Sequence, residues 1–199
     1  MQGGSAILLT ATLPLDLRTR LSRAFAEGAG RQFVRDDDPA YPSLSITGGA
    51  AIRSFSSRQP HKGDVAVYRL ETAEQALDLL SERSAGGAAC VWVRNAVDDA
   101  IAAVAALRAR GVPAELLHAR YTLHDRKRIE AQIMACFGRE STGREGRVLV
   151  GTQVLEASLD LDFDVMVSDL APVASLIQRA GRLWRHMDLR PPGSRPVPA

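Results

Sequence analysis

The sequence predicts an α/β domain in which a parallel sheet is covered by helices on both faces. Three observations predict it. Short runs of four to seven residues are apolar throughout rather than alternating, as strands buried on both faces are. Segments with apolar residues at helical spacing separate those runs, which is the pattern of right-handed strand-helix-strand crossovers. Gly and Pro mark the junctions between them.

Residues 6–9 are apolar and read as a buried strand, followed over 14–27 by helical spacing with Pro14 suited to a first turn. Residues 28–63 break into Gly, Pro, Ser and the acids Asp36, Asp37 and Asp38, with one alternating piece at 43–47. Regular alternation then sets in. Strands are expected at 64–70, 88–94, 114–118, 147–151 and 164–168, and helices at 73–83, 97–110, 126–137 and 173–183. Gly111 closes the second of those helices. From Met187 the chain is rich in Pro, Gly and Arg without periodicity, as frayed ends are.

Composition bounds the function. A chain of 199 residues with 46% hydrophobic content fits one well-buried domain with a fragment of another, and not a two-lobed motor. With a net charge of +2, bulk charge selects no partner. Cys90 and Cys136 form no C-x-x-C pair, which disfavours a zinc ribbon or a disulfide framework and fits a reducing cytoplasm. Met1 to Ala6 lacks a signal-peptide pattern, and no apolar run approaches the ~20 residues that span a bilayer, so no membrane partner is expected. Although His124-Asp125 spells an HD pair, His61, His118, His124 and His186 are scattered, and no metal site is expected.

In an open parallel sheet, ligands bind beyond the carboxyl ends of the strands. Two segments there carry chemistry. In Gln178-Arg179-Ala180-Gly181-Arg182-Leu183-Trp184-Arg185-His186, Arg182 and Arg185 are expected on one helix face, with Gln178 one turn earlier and Gly181 permitting close approach. Guanidinium forks presented to a γ-phosphoryl group across a domain interface stabilise the charge of its transfer, an effect of ~10³ to 10⁵ in rate for arginine fingers. The bland alternative is a solvated basic helix end. After the strand at 147–151, Thr152 and Gln153 offer short hydrogen-bonding groups suited to a nucleic-acid backbone, which positions a strand without reading its sequence. Glu156, Asp160 and Asp162 follow, any of which could accept from a ribose hydroxyl or hold an arginine. Taken alone, such an acidic loop is more often a solvated turn.

Residues 148–168, Leu170-Ala171-Pro172 and 178–186 together resemble motifs V and VI of the CRISPR-associated helicase-nuclease of type I systems. Leu9-Thr10-Ala11-Thr12-Leu13-Pro14 resembles its motif III; Tyr41-Pro42 and His118-Ala119-Arg120-Tyr121 with Asp125-Arg126 add to the likeness. Gly151, Ala157 and Trp184 depart from the usual alanine, glutamine and histidine, and Asn95-Ala96-Val97 lacks the hydroxyl of the family's N-T-V.

The resemblance implies a RecA-like second motor domain of a superfamily 2 helicase at 64–186. Residues 1–30 would be the end of the first motor domain, 31–63 a linker and 187–199 a flexible tail. It further implies an ATP-dependent motor moving along single-stranded DNA, partnered by a first RecA-like domain and recruited by a guide-RNA surveillance complex. Arg182, Arg185 and Gln178 would serve catalysis, Asp160 and Gly181 the nucleotide, Thr152 and Gln153 the DNA, and Thr10 and Thr12 the coupling of the two. ATP and Mg2+ would be held mainly by a P-loop half. Lys62 follows His61 and Lys127 follows Arg126, so neither is a Walker lysine, and the chain is not expected to hydrolyse ATP alone. Two alternatives remain: a degenerate RecA-like module that only binds nucleic acid or a protein, and another superfamily 2 helicase acting on RNA or in repair.

Overall fold

The computed structural model describes residues 4–10, 13–38, 43–46, 53–56, 65–141, 143–156, 159–186 and 189. Thr12, Tyr41, Pro42, Ala157 and most of the tail lie outside these. The chain divides into two compact units, residues 1–67 and 68–199.

In the first unit, helix α1 (Leu15–Gly28) precedes an antiparallel hairpin of β1 (Ser43–Ile46) and β2 (Arg53–Ser56), which falls within the stretch expected to be a linker. None of α1's residues is buried. Arg18 on α1 donates to the carbonyl oxygens of Asp36 (3.0 Å) and Asp38 (2.7 Å), folding the chain back along the helix.

The second unit carries the predicted sheet. Its elements are α2 (Ala73–Ala85), β3 (Cys90–Val93), α3 (Val97–Ala109), β4 (Ala114–Leu117), α4 (Leu123–Phe137), β5 (Val148–Gly151), β6 (Val165–Ser168) and α5 (Val173–Ala180). The strand order is β4-β5-β3-β6, and all three pairings are parallel. Side chains alternate between two cores. Cys90, Trp92, Val148 and Val150 meet α2 and α3 on one face, whereas Val91, Val93 and Leu149 meet Ile133 and Phe137 of α4 together with Leu161 and Phe163 on the other. Burial pushes the Cys90 thiol up to about 12.

Capping sets the helix starts. Thr72 and Gln75 form a reciprocal capping box at α2. Thr122 accepts from the Asp125 amide, so α4 begins at Leu123, three residues before the start expected from its periodicity. After α3, Gly111 takes φ +77°, a left-handed conformation that side chains with a Cβ resist.

Two predicted strands are not formed. Residues 6–9 and 65–70 carry no ladder, and Leu9 and Val67 are 91% and 88% exposed. An apolar run becomes a strand only where a neighbouring strand supplies hydrogen-bond partners, and neither run has one among the described residues. No helix among the described residues is long and apolar enough to cross a membrane.

Candidate functional site

The parallel register brings the carboxyl ends of β3, β5 and β6 side by side, and the residues that follow interlock through polar groups. Asp169, after β6, accepts at Oδ2 from the Asn95 amide (2.9 Å) and from Arg94 Nε (3.1 Å). Asn95 Nδ2 donates to the Leu170 carbonyl (2.8 Å), and the Asn95 carbonyl accepts from Gln153 Nε2 (3.1 Å). Asp169 thereby ties the loop after β6 to the loop after β3. Thr152 is buried: its amide donates to the Leu117 carbonyl, and its own carbonyl accepts from Leu155. Gln153 is exposed.

At the centre of this edge lies Arg179, on α5 and only 2% exposed. Its guanidinium donates to Glu156 Oε1 (2.8 Å), Ser168 Oγ (2.8 Å), the Asp169 carbonyl (3.1 Å) and Asn95 Oδ1 (3.4 Å). One planar fork thus ties together the loops that follow three strands, a task that Lys, with one compact ammonium, cannot reproduce.

The arginines singled out in the sequence lie beyond α5. The expectation that Arg182 and Arg185 share a helix face is corrected: the helix ends at Ala180 and Gly181 caps it, with φ −61°. The chain turns because a different partner competes for it. Phe163 donates its amide to the Arg182 carbonyl (3.0 Å), and its own carbonyl accepts from Trp184 (2.9 Å), in a short parallel bridge. Trp184 adopts φ +48°. Asp162 Oδ1 accepts from the Arg185 amide (2.8 Å) and Oδ2 from the His186 amide (3.2 Å). At Gly181 a Cβ would meet the Gln178 carbonyl oxygen at 3.3 Å, within the helix end itself.

Within this turn the two guanidinium groups differ. Arg182 donates to the Leu159 carbonyl and to the Glu156 carbonyl (3.1 Å). Burial, reinforced by the neighbouring Arg185 charge and partly offset by Asp160, holds the Arg182 guanidinium below its ordinary pKa. Arg185, 40% exposed at its side chain, pairs through Nε with Asp160 Oδ1 (2.7 Å), which His186 Nε2 also approaches (3.1 Å). Asp160 therefore holds an arginine in this conformation.

The predicted residues thus fall into two groups. Arg182, Arg185 and Asp160 come together; Gln153 joins a second group around Asn95 and Arg179. Glu156 bridges the two, its carboxylate on Arg179 and its carbonyl on Arg182. Gln178 is half-buried on α5. Thr10 is exposed in the first unit, and Thr12 lies outside the described residues. Arg179, Asn95 and Arg144 were not expected as site residues, whereas Asp162 stood among the acids that could hold an arginine and pairs with Arg144 (3.3 Å). Arg179 could have been found from its place in the quoted motif; for Arg144 the sequence carries no signal.

A family model described as CRISPR-associated nuclease/helicase Cas3, C-terminal, matches residues 86–188. The CRISPR-associated nuclease/helicase Cas3 of Streptococcus thermophilus is 33% identical over 212 residues, covering 95% of this chain and 21% of that protein. The chain thus spans about a fifth of the length of this relative. A solved structure of T. fusca Cas3-AMPPNP superposes with a TM-score of 0.76 at 32% identity, covering 94% of this chain and 25% of that one. A chain in a solved CRISPR RNA-guided surveillance complex, pre-nicking, gives a TM-score of 0.71 at 30% identity, covering 94% of this chain and 25% of that one.

Proposed function

The chain belongs to the Cas3 family, as a segment of its C-terminal helicase region, and from that premise we propose that it supplies the second motor domain of an ATP-dependent translocase on single-stranded DNA in CRISPR defence. The observation that carries this reading is the convergence of Arg182 and Arg185 on one turn beside Asp160, at the end of α5.

These residues fit the outer phosphates of ATP. Arg182 Nε is a buried donor without a hydrogen-bond acceptor among the described residues, and Arg185 is held by one half-exposed carboxylate. A buried donor left over in this way gains the acceptor it lacks if the turn opens toward an incoming phosphate oxygen. A P-loop domain would supply the rest of the nucleotide site and its Mg2+. In the closed state Arg185 exchanges Asp160 for phosphate oxygen, and Arg182 stabilises charge developing on the transferred group. Asp160, released, is free to accept from the ribose.

On the DNA side, Gln153 is exposed and Thr152 backs the same loop. Gln153 contacts backbone phosphates, which positions the strand without reading bases, and the buried Thr152 holds the loop behind it. Motif III residues Thr10 and Thr12 couple closure to this grip. The surveillance complex among the structural relatives supports recruitment by a guide-RNA complex in the cytoplasm.

The test is Arg182→Ala in the full-length protein. ATP turnover stimulated by single-stranded DNA is expected to fall by ~10³-fold or more. DNA affinity, read by fluorescence anisotropy, should stay within about twofold. Turnover retained by the variant overturns the assignment.

A further inference from the structure

The turn that bears Arg182 and Arg185 is not shaped by the helix before it, so something else must hold it. Trp184 sits at φ +48°, a left-handed conformation unfavourable for any residue with a Cβ. Four hydrogen bonds from residues 162–163 staple the turn in place. Two are the backbone pair between Phe163 and residues Arg182 and Trp184. The other two come from one side chain: the Asp162 carboxylate accepts the amides of Arg185 and His186, one on each oxygen.

Asp162 has no exposed surface, and a buried carboxylate is tolerated only when paired and hydrogen-bonded. Its counter-charge is Arg144, 6% exposed, from the loop before β5. Arg144 Nη1 lies 3.3 Å from Asp162 Oδ2 and donates to the Asp162 carbonyl at 3.2 Å. The Asp162 amide in turn donates to the Phe137 carbonyl (3.0 Å) at the end of α4. The carboxylate is thus fixed from behind while it faces the amide of the residue whose side chain is to meet phosphate.

We propose that Asp162, oriented by Arg144, is the positioning residue for Arg185: it fixes the backbone from which that guanidinium reaches the transferred phosphate. The inference rests on the reading of Arg185 as a phosphate-facing group. It assigns a role to Arg144, which lies outside every motif the sequence displayed.

The experiment uses the full-length protein and follows DNA-stimulated ATP hydrolysis beside thermal unfolding. Asp162→Asn keeps the shape but turns an NH2 group toward one of the two amides and strands Arg144 without its counter-charge. The expected result is a fall in kcat on the order of 10- to 100-fold, from misplacement of a group that acts on the transition state. KM for ATP stays within about twofold. Arg144→Met lowers kcat in the same direction, and Arg144→Lys, which keeps a cation, restores most of it. Should Asp162→Asn fail to fold, the Arg144 pair decides.

Folded variants with a lowered unfolding midpoint but unchanged kcat overturn the proposal, because a merely structural role predicts that pattern. Arg185→Ala separates the two levels. If it loses turnover while Asp162→Asn and Arg144→Met keep theirs, only the positioning role falls; if Arg185→Ala itself keeps turnover, the reading beneath it falls as well.

Discussion

Residues 6–9 are as apolar as β3 and β5, and 65–70 nearly so but for Arg69, yet the first pair lies exposed without a ladder and the second pair is fully buried. The difference is not in the residues but in their company. β3 has β5 and β6 on its two sides and a helical core on each face. Among the described residues the exposed runs have neither, so their apolar side chains gain nothing from their spacing. Arginines repeat the lesson. Arg35 and Arg179 each pair with a carboxylate, but the first pair is in water and the second is sealed under three loops.

That contrast can be broken most strongly at the arginines. Arg179→Ala leaves Glu156 partly buried without its partner and should cost about 3–5 kcal/mol, whereas Arg35→Ala should cost about 0–1 kcal/mol. Urea unfolding of the purified chain measures both, and equal losses would erase the distinction. Next come the apolar runs themselves. Leu149→Ala, in the fully buried β5, should cost about 2–5 kcal/mol. Leu9→Ala should stay within about 0.5 kcal/mol, as exposed substitutions do.

Gly151 sharpens the comparison at a finer scale. A Cβ there would meet the Leu117 carbonyl oxygen and Leu155 Cδ1, both at 2.7 Å, so the alanine usual in the family needs the 3-10 turn Gln153–Leu155 to move. Gly151→Ala should destabilise by about 1–3 kcal/mol, read by the thermal midpoint. An unchanged midpoint would mean that Leu155 yields freely.

The smallest effect is in pH. Burial, then the Arg120 charge, lowers the His118 pKa from its usual 6.5. The unfolded chain therefore binds the proton more readily, and the contribution of neutral His118 to stability is complete above 6.5 and is lost as pH falls below it. His118→Gln should flatten the stability profile between about pH 7 and pH 5 in urea titrations. A profile of unaltered slope would assign that dependence elsewhere.

Much of this was legible in the sequence. Apolar runs with helical segments between them gave the parallel sheet, and the two motif segments pointed to Arg182, Arg185 and Asp160. What could not be read was the path of the chain after Gly181. Helical spacing places Arg182 and Arg185 on one face, but the amide of Phe163 captures the Arg182 carbonyl, and no local pattern announces a partner from another loop. The same holds for Arg144, whose role depends on meeting a carboxylate that lies 18 residues along the chain. Capping by Thr122, by contrast, was present in the text and outweighed periodicity at the start of α4.

The left-handed tryptophan beside the arginines offers an optical handle. Trp92 and Trp184 are the only indoles in the chain, and Trp92 is sealed in the core beneath the Arg94 guanidinium. With Trp92 replaced by Phe, all indole emission would come from the turn itself. A shift in its colour on adding nucleotide would then time the movement of the arginines directly, without any attached dye.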